Sequence, residues 1–114
     1  MKKLHLTFQP KKYVLLIQNS QNPDGGFGIV PHTTSFLEST YHALKSLKEL
    51  NTIPLNITKC ERFVHSCITK TGGFGRQITT VPSIQYSYYA FISLNISLKI
   101  INEMKRYYIK QVNY

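Results

Sequence analysis

The tetrapeptide Gly-Gly-Phe-Gly occurs twice in this sequence, and the repetition limits the folds open to the chain. The first copy begins at Gly25 and the second at Gly72, 47 residues later, and the same offset aligns the flanking apolar segments without a gap. The apolar residues Leu16, Ile17, Leu37, Tyr41, Ala43, Leu44 and Leu47 correspond to Phe63, Val64, Ile84, Tyr88, Ala90, Phe91 and Leu94. The pattern predicts two copies of one unit, in which a glycine loop joins two apolar helices.

Proline, asparagine and glycine mark the ends of the first two predicted helices. Pro10 suits the first turn of a helix, and Asn22 with the proline and glycines after it ends that helix. Ser35 and Glu38 have the spacing of a capping box, in which each side chain satisfies a free backbone amide. We therefore predict a second helix from this box to about Leu50.

Similar signals predict the remaining helices. Thr58 and Glu61 offer a second capping box for a third helix, and Ser83 opens a fourth apolar helix after the second glycine loop. A fifth helix is predicted at about residues 97–111. We therefore predict an all-α fold of about five helices, with no β-sheet.

The length of 114 residues leaves room for a single domain with one core. We place repeat one at about residues 10–50, repeat two at about 57–97 and the start of a third repeat at about 98–114. Repeat proteins bury their core between neighbouring units, so two hairpins alone leave two open faces. Three explanations fit this arrangement: a fragment that lacks its partner repeats, a homo-oligomer, or a small helical module with another use.

The chain is strongly basic. Lys and Arg outnumber Asp and Glu by 14 to 5, which gives a formal net charge of +9. Such a surface attracts phosphates, diphosphates, nucleic acid or anionic lipid headgroups. The basic residues are scattered along the sequence and form no long block, so nucleic acid is not the partner we favour.

The cysteines and the amino terminus bear on the compartment. Cys60 and Cys67 lie seven residues apart in a predicted helix, about 10 Å along its axis, too far for a disulfide within that helix. We expect buried, reduced thiols. The amino terminus lacks the apolar run of a secretory signal, and no segment approaches the roughly 20 apolar residues of a membrane span. We therefore expect a cytoplasmic protein without a transmembrane segment.

The two units resemble a known family of helical repeats. QNPDGGFGIVP followed by SFLESTYHALKSL, and SCITKTGGFGRQ followed by PSIQYSYYAFISL, resemble the hairpin repeats of protein prenyltransferase β subunits and squalene cyclases over about residues 12–97. The resemblance implies a sector of an α/α toroid, in which hairpins form a ring and the helix after each glycine loop lines a central isoprenoid cavity. The cyclase branch is less favoured, because the chain has no Trp and no DxDD motif.

The same resemblance suggests substrate-binding residues. Tyr41 and Tyr88 match the Tyr that touches the diphosphate in the family's Asp-x-Cys-Tyr motif, and Arg76 lies one residue from the family's diphosphate-binding arginine. An aromatic run that ends at Phe91 could line an isoprenoid pocket, although tyrosines in a crowded helical core would give the same pattern. The predicted substrate-binding residues are Arg76, Tyr88, Tyr41 and Phe91.

The zinc site of the catalytic family members is not matched. The ligand positions hold Glu38 and Thr40 in the first repeat, and the second repeat has Gln and Ser there. Hydroxyl and amide groups are poor zinc ligands, so no zinc or other cofactor is expected. Glu38 and His42 have a spacing that could serve two ligands, and a solvated charged stripe explains them as well. No catalytic residue is identified, and whether the chain is an enzyme stays open.

The leading interpretation is a prenyltransferase-like repeat module without a complete catalytic centre. It would bind an isoprenoid as a prenyl diphosphate, or supply one sector of a prenyltransferase or terpene cyclase. The main alternative is a non-catalytic helical scaffold for protein interactions. A basic nucleic-acid binder is a third hypothesis.

Overall fold

The computed structural model describes residues 9–68, 72–75 and 83–112. Within these ranges it contains four helices, which are α1 (Pro10–Asn19), α2 (Leu37–Glu49), α3 (Ile57–Ser66) and α4 (Ile84–Val112). The described ranges hold isolated β-bridges but no strand, and two of the bridges join Gln21 to Phe27 and Ile68 to Phe74. The predicted all-α fold is confirmed.

Helix α4 packs against α2 and α3, and α1 packs against α2. One core cluster draws residues from all four helices, namely Ile17, Leu44, Leu47, Ile57, Cys60 and Ile96, and adds Phe27 of the first glycine loop. A second cluster joins α2, α3 and α4 through Leu37, Phe63, Val64, Cys67 and Ala90. The hairpins are therefore held together mainly by the burial of apolar side chains between them.

Hydrogen bonds around the two glycine loops repeat with the 47-residue offset. The amide of Phe27 donates to Oγ1 of Thr40 at 2.9 Å, and the amide of Phe74 donates to Oγ of Ser87 at 3.1 Å. Each loop is thus fastened to the helix that follows it by a hydroxyl at the same position. The backbone bonds from Gly28 to Ser20 (3.1 Å) and from Gly75 to Cys67 (2.9 Å), measured from amide nitrogen to carbonyl oxygen, repeat in the same way.

The first glycine of each loop has a positive φ angle, 92° at Gly25 and 105° at Gly72. This region of backbone conformation is open to glycine and costly for residues with a Cβ. The repeated tetrapeptide therefore encodes a repeated backbone turn. Below, unit one denotes residues 10–50 and unit two denotes residues 57–97.

The prediction of a separate fifth helix at about residues 97–111 is wrong, because α4 continues through this segment without a break. Immediately after unit one, α2 is followed by Asn51, whose φ is 57°, and then by Pro54. Both residues oppose a continuing helix. The positions 47 residues later are Leu98 and Ile101, which are compatible with a helix. The segment predicted to start a third repeat is therefore the carboxyl-terminal part of α4 as far as the structure describes it.

The capping box predicted at Ser35 and Glu38 is wrong. The residue that precedes α2 is Phe36, which offers no side-chain cap. The hydroxyl of Ser35 instead donates to Oδ1 of Asp24 at 2.8 Å and accepts from Nδ2 of Asn22 at 2.7 Å. Ser35 therefore braces the loop before α2 rather than the first turn of the helix.

The capping box predicted at Thr58 and Glu61 is also wrong. Asn56 caps α3, and its Oδ1 accepts from the amide of Lys59 at 3.0 Å. Glu61 instead lies 3.4 Å from Nε2 of His65, one turn further along the helix. Asn is as good a capping residue as Ser or Thr, so the spacing rule located the helix start but selected the wrong side chain.

Both cysteines are free and fully buried, as expected from the sequence. Burial raises the pKa of Cys60 to about 12 and that of Cys67 to about 11. Both side chains therefore stay protonated at neutral pH and act as small apolar core residues.

Helix α4 is the longest described helix, at 29 residues, and its second half is charged. Lys99, Glu103, Lys105 and Arg106 follow one another within two turns. Such charges are costly in hydrocarbon. Among the described residues, no helix combines the length and the apolar character needed to cross a bilayer.

Candidate functional site on helices α2 and α4

An aromatic cluster joins α2 to α4. The ring of Tyr41 stacks on that of Tyr89, with centroids 4.6 Å apart and planes 29° apart, and the ring of Tyr88 lies 6.0 Å from Tyr41. The rings of His42 and Tyr41 meet edge to face with their centroids 5.0 Å apart, and Nζ of Lys45 lies 5.9 Å from the Tyr41 centroid. The repeat relates Tyr41 to Tyr88 in sequence, and the packing of α2 on α4 brings the two together in space.

The surroundings of Tyr41 raise its pKa. Burial raises the pKa of Tyr41, and the neighbouring phenol of Tyr88 raises it further, so the Tyr41 phenol is neutral at physiological pH. A neutral phenol can donate a hydrogen bond to an anionic oxygen.

The structure describes three of the four predicted substrate-binding residues, and it brings two of them together. Tyr41 and Tyr88 lie together, whereas Phe91 lies one turn along α4 from Tyr88 and exposes 61% of its surface. Arg76 lies outside the described residues. Their role in binding stays a prediction.

A groove between α2 and α4, with a volume of about 500 Å³, combines positive charge with apolar surface. Three of its lining residues are lysines, Lys45 and Lys48 from α2 and Lys99 from α4, and the apolar lining comes from Ile92, Ile96 and Leu98. Ammonium groups beside aliphatic side chains suit an amphiphilic anion. The groove also adjoins the aromatic cluster, because Lys45 contributes to both.

This set of lysines was not predicted from the sequence. Lys45 and Lys48 lie one turn apart on α2, a spacing that could have indicated a shared helix face. Lys99 joins them only through the packing of α4 on α2 and the extension of α4 past unit two. The scattered basic residues of the sequence thus converge in part on one groove.

The zinc site of the catalytic family does not fit this chain. Thr40 uses its hydroxyl to accept from the Phe27 amide and to donate to the carbonyl of Phe36 at 2.8 Å, and Ser87 accepts from the Phe74 amide. The hydroxyls at these ligand positions therefore fasten the glycine loops. In the part of the chain that the structure describes, no three His, Cys, Asp or Glu side chains form a cluster that could hold a metal ion.

Comparison with protein families agrees with the fold and its repeats. The model of the prenyltransferase alpha-alpha toroid domain matches residues 2–113. The chain belongs to this family. The match confirms the resemblance drawn from the two glycine loops, and the helical structure is that of a partial toroid. Comparison with curated proteins gave no match.

Proposed function

We propose that this prenyltransferase-like repeat module binds a prenyl diphosphate, or supplies one sector of such a site, in the groove between α2 and α4. The observation that carries the proposal is the meeting of Lys45, Lys48 and Lys99 with the isoleucines of α4. The toroid family places isoprenoid cavities along the helices that follow the glycine loops, and α2 and α4 are those helices.

The two parts of the ligand would contact different side chains. The ammonium groups would pair with the diphosphate, and the neutral phenol of Tyr41 or Tyr88 would donate to one of its oxygens. The isoprenoid tail would lie along Ile92 and the exposed ring of Phe91. Because Lys45 and Lys99 are exposed, binding would weaken as salt rises.

The proposal is one of binding and not of catalysis. One of the family's two zinc-ligand positions in each repeat carries a hydroxyl, of Thr40 or of Ser87, that holds a glycine loop, so no zinc-activated thiol is proposed here. We also propose that further repeats, from a second copy or from partner repeats, complete the cavity, since two hairpins cover only part of a toroid.

Titration calorimetry with farnesyl diphosphate tests the proposal. We expect saturable binding that weakens by about tenfold or more in Lys45→Ala/Lys99→Ala, because two charge-assisted contacts are lost. Lys12→Ala is the matched control, since this exposed lysine lies on α1, outside the residues that line the groove. A comparison of Tyr88→Phe with Tyr88→Ala separates the contribution of the hydroxyl to binding from that of the ring.

Two comparison ligands show which part of farnesyl diphosphate the protein recognises. Inorganic diphosphate alone should bind more weakly than farnesyl diphosphate. Farnesol should bind with an affinity that the lysine substitutions do not change. If Lys12→Ala and the double variant bound farnesyl diphosphate with equal affinity, the assignment of the groove would be contradicted.

The alternative function, a non-catalytic scaffold for protein interactions, has its own support. Exposed apolar side chains continue along the carboxyl-terminal part of α4, where Tyr107, Tyr108 and Ile109 are all exposed. A surface of this kind is typical of interaction sites. Capture of a protein partner that resists excess farnesyl diphosphate, and that is lost in Tyr108→Asp, would favour the scaffold.

A further inference from the structure

Unit two covers unit one through a well-packed interface inside the chain. Helix α3 crosses the first glycine loop so closely that a Cβ at Gly25 would collide with the backbone of Lys59, and one at Gly26 would lie 2.9 Å from the Phe63 ring. Leu37, at the start of α2, is fully buried against Phe63. The interface therefore contains a glycine loop, an apolar helix face and a helix laid across both.

The corresponding face of unit two is open. Within 4 Å of a Cβ at Gly72 there is no atom of the described residues. Ile84 exposes 91% of its surface and Phe91 exposes 61%, and Tyr88 is also exposed. Their equivalents in unit one are all buried: Leu37, Leu44 and Tyr41. We call Gly72, Ile84, Tyr88 and Phe91 the end face.

A surface formed by α1 and α2 is the complement of the end face. Tyr13 and Leu16 on α1 are exposed, and with Ser39, His42 and Ala43 of α2 they line a groove of about 210 Å³. We call these five residues the start face. The residues 47 positions later belong to unit two, and they pack at or beside its contact with unit one. They are Cys60, Phe63, Tyr86, Tyr89 and Ala90.

We propose that the end face of one chain docks onto the start face of a second copy of the chain, repeating between molecules the contact that joins the two units. Leu16 of the second copy would pack on Ile84, as Phe63 packs near Leu37. His42 of the second copy would stack on Tyr88, as Tyr89 stacks on Tyr41. Apolar side chains exposed on both faces would leave water together.

A second copy is favoured as the occupant because both halves of the interface are present on this chain. None of the four described helices covers the end face as α3 covers unit one, and α1 is the helix at the matching position of the repeat. Joined in this way, the contact is heterologous, since different surfaces of the two copies meet. The proposal concerns the same open faces as the proposed function, but it holds without any ligand.

Charge gives the association a recognisable dependence on salt. The net charge of +9 makes two copies repel each other, and Lys11 and Lys12 are exposed on α1 next to the start face. Salt screens such repulsion and leaves the burial of apolar surface intact. Association should therefore strengthen as salt rises, whereas binding of a prenyl diphosphate should weaken.

Sedimentation equilibrium of the full chain without ligand tests the proposal. We expect the apparent mass to rise with concentration. Leu16→Asp and Ile84→Asp should each weaken association by about tenfold or more, because each places a charge in the contact. Leu55→Asp is the matched control, since Leu55 is exposed in the loop between α2 and α3 and belongs to neither face. Circular dichroism checks that every variant keeps its helices.

Mixing the two variants gives the decisive result. Leu16→Asp retains an intact end face and Ile84→Asp retains an intact start face, so an equimolar mixture should form heterodimers and nothing larger. A wild-type chain that stays monomeric at every concentration would overturn the proposal, and so would a mixture that remains monomeric. Failure of farnesyl diphosphate binding with association intact would count against the proposed function only.

Discussion

The hydroxyl of Thr40 offers the sharpest test of how the glycine loop is held. Its Oγ1 accepts from the amide of Phe27 at 2.9 Å, and both residues are fully buried. Thr40→Val keeps the shape of the side chain and removes the acceptor. The Phe27 amide then has no acceptor at this position and no access to water, which costs about 1–3 kcal/mol of unfolding free energy. The carbonyl of Phe36 keeps the backbone amide of Thr40 as a donor at 3.0 Å.

We therefore expect Thr40→Val to lower the free energy of unfolding by about 2 kcal/mol, or the melting temperature by about 8 °C for a chain of this size. Urea denaturation followed by circular dichroism gives the first quantity, and a thermal scan gives the second. The concentration must be kept constant, because self-association would add to the apparent stability.

Two controls separate the cost of leaving a buried amide without an acceptor from the loss of a hydrogen bond alone. Ser87→Ala removes the equivalent bond to Phe74, which is only partly buried, so water can replace the acceptor and the loss should be below about 1 kcal/mol. Ser39→Ala removes a donor to the Phe27 carbonyl, which still accepts from the Phe36 amide at 3.3 Å. Equal losses for Thr40→Val and Ser87→Ala would refute the reasoning.

Three further predictions concern the backbone and the thiols. Gly25→Ala should destabilise the chain by about 3 kcal/mol and Gly72→Ala by only about 1–2, because both have a positive φ but only Gly25 is crossed by α3; urea titrations measure both. Asn51→Val should cost about 1 kcal/mol by the same assay and Asn51→Gly almost nothing, since φ is 57°. Cys60 and Cys67, with pKa values raised by burial to about 12 and 11, should resist thiol reagents at pH 8 until urea unfolds the chain. The unfolded thiols ionise near pH 9, so their contribution to stability should be lost as pH rises from 9 towards 12; a flat profile there would contradict the assignment.

Much of the local structure could be predicted because it depends on residues close together in the sequence. The glycine loops, the helix starting near Pro10 and the end of α2 near Asn51 each follow from backbone preferences of a few residues. The choice of capping residue was harder to predict, because several neighbouring side chains can form the same kind of hydrogen bond. Ser35 was expected to cap α2, and its hydroxyl instead holds Asp24 in the loop.

The continuity of α4 shows a different limit of the repeat argument. The repeat predicted a new helix after unit two, although Leu98 and Ile101 stand at the positions that correspond to Asn51 and Pro54 after unit one. Those two substitutions were visible in the sequence and remove the signals that end a helix. A repeat specifies its turns only as far as the turn residues are themselves repeated.

The candidate site was only partly accessible to sequence reasoning. Tyr41 and Tyr88 were predicted from the resemblance to the family's repeats, and their contact follows from the packing of α2 on α4. The groove of Lys45, Lys48 and Lys99 was missed, since it needs the distance between two helices far apart in the chain. Such distances depend on how all the apolar faces pack at once.

The amino-acid sequence alone determined the helical repeat, the turn at each glycine loop and the membership in the prenyltransferase toroid family, because these are properties of short stretches that recur after 47 residues. The tertiary structure decided which copy of each repeated residue is buried. Leu37 and Ile84 occupy the same place in their units, yet one is sealed by α3 and the other is open. The difference arises because burial depends on the neighbouring unit, which the local sequence of a repeat does not contain.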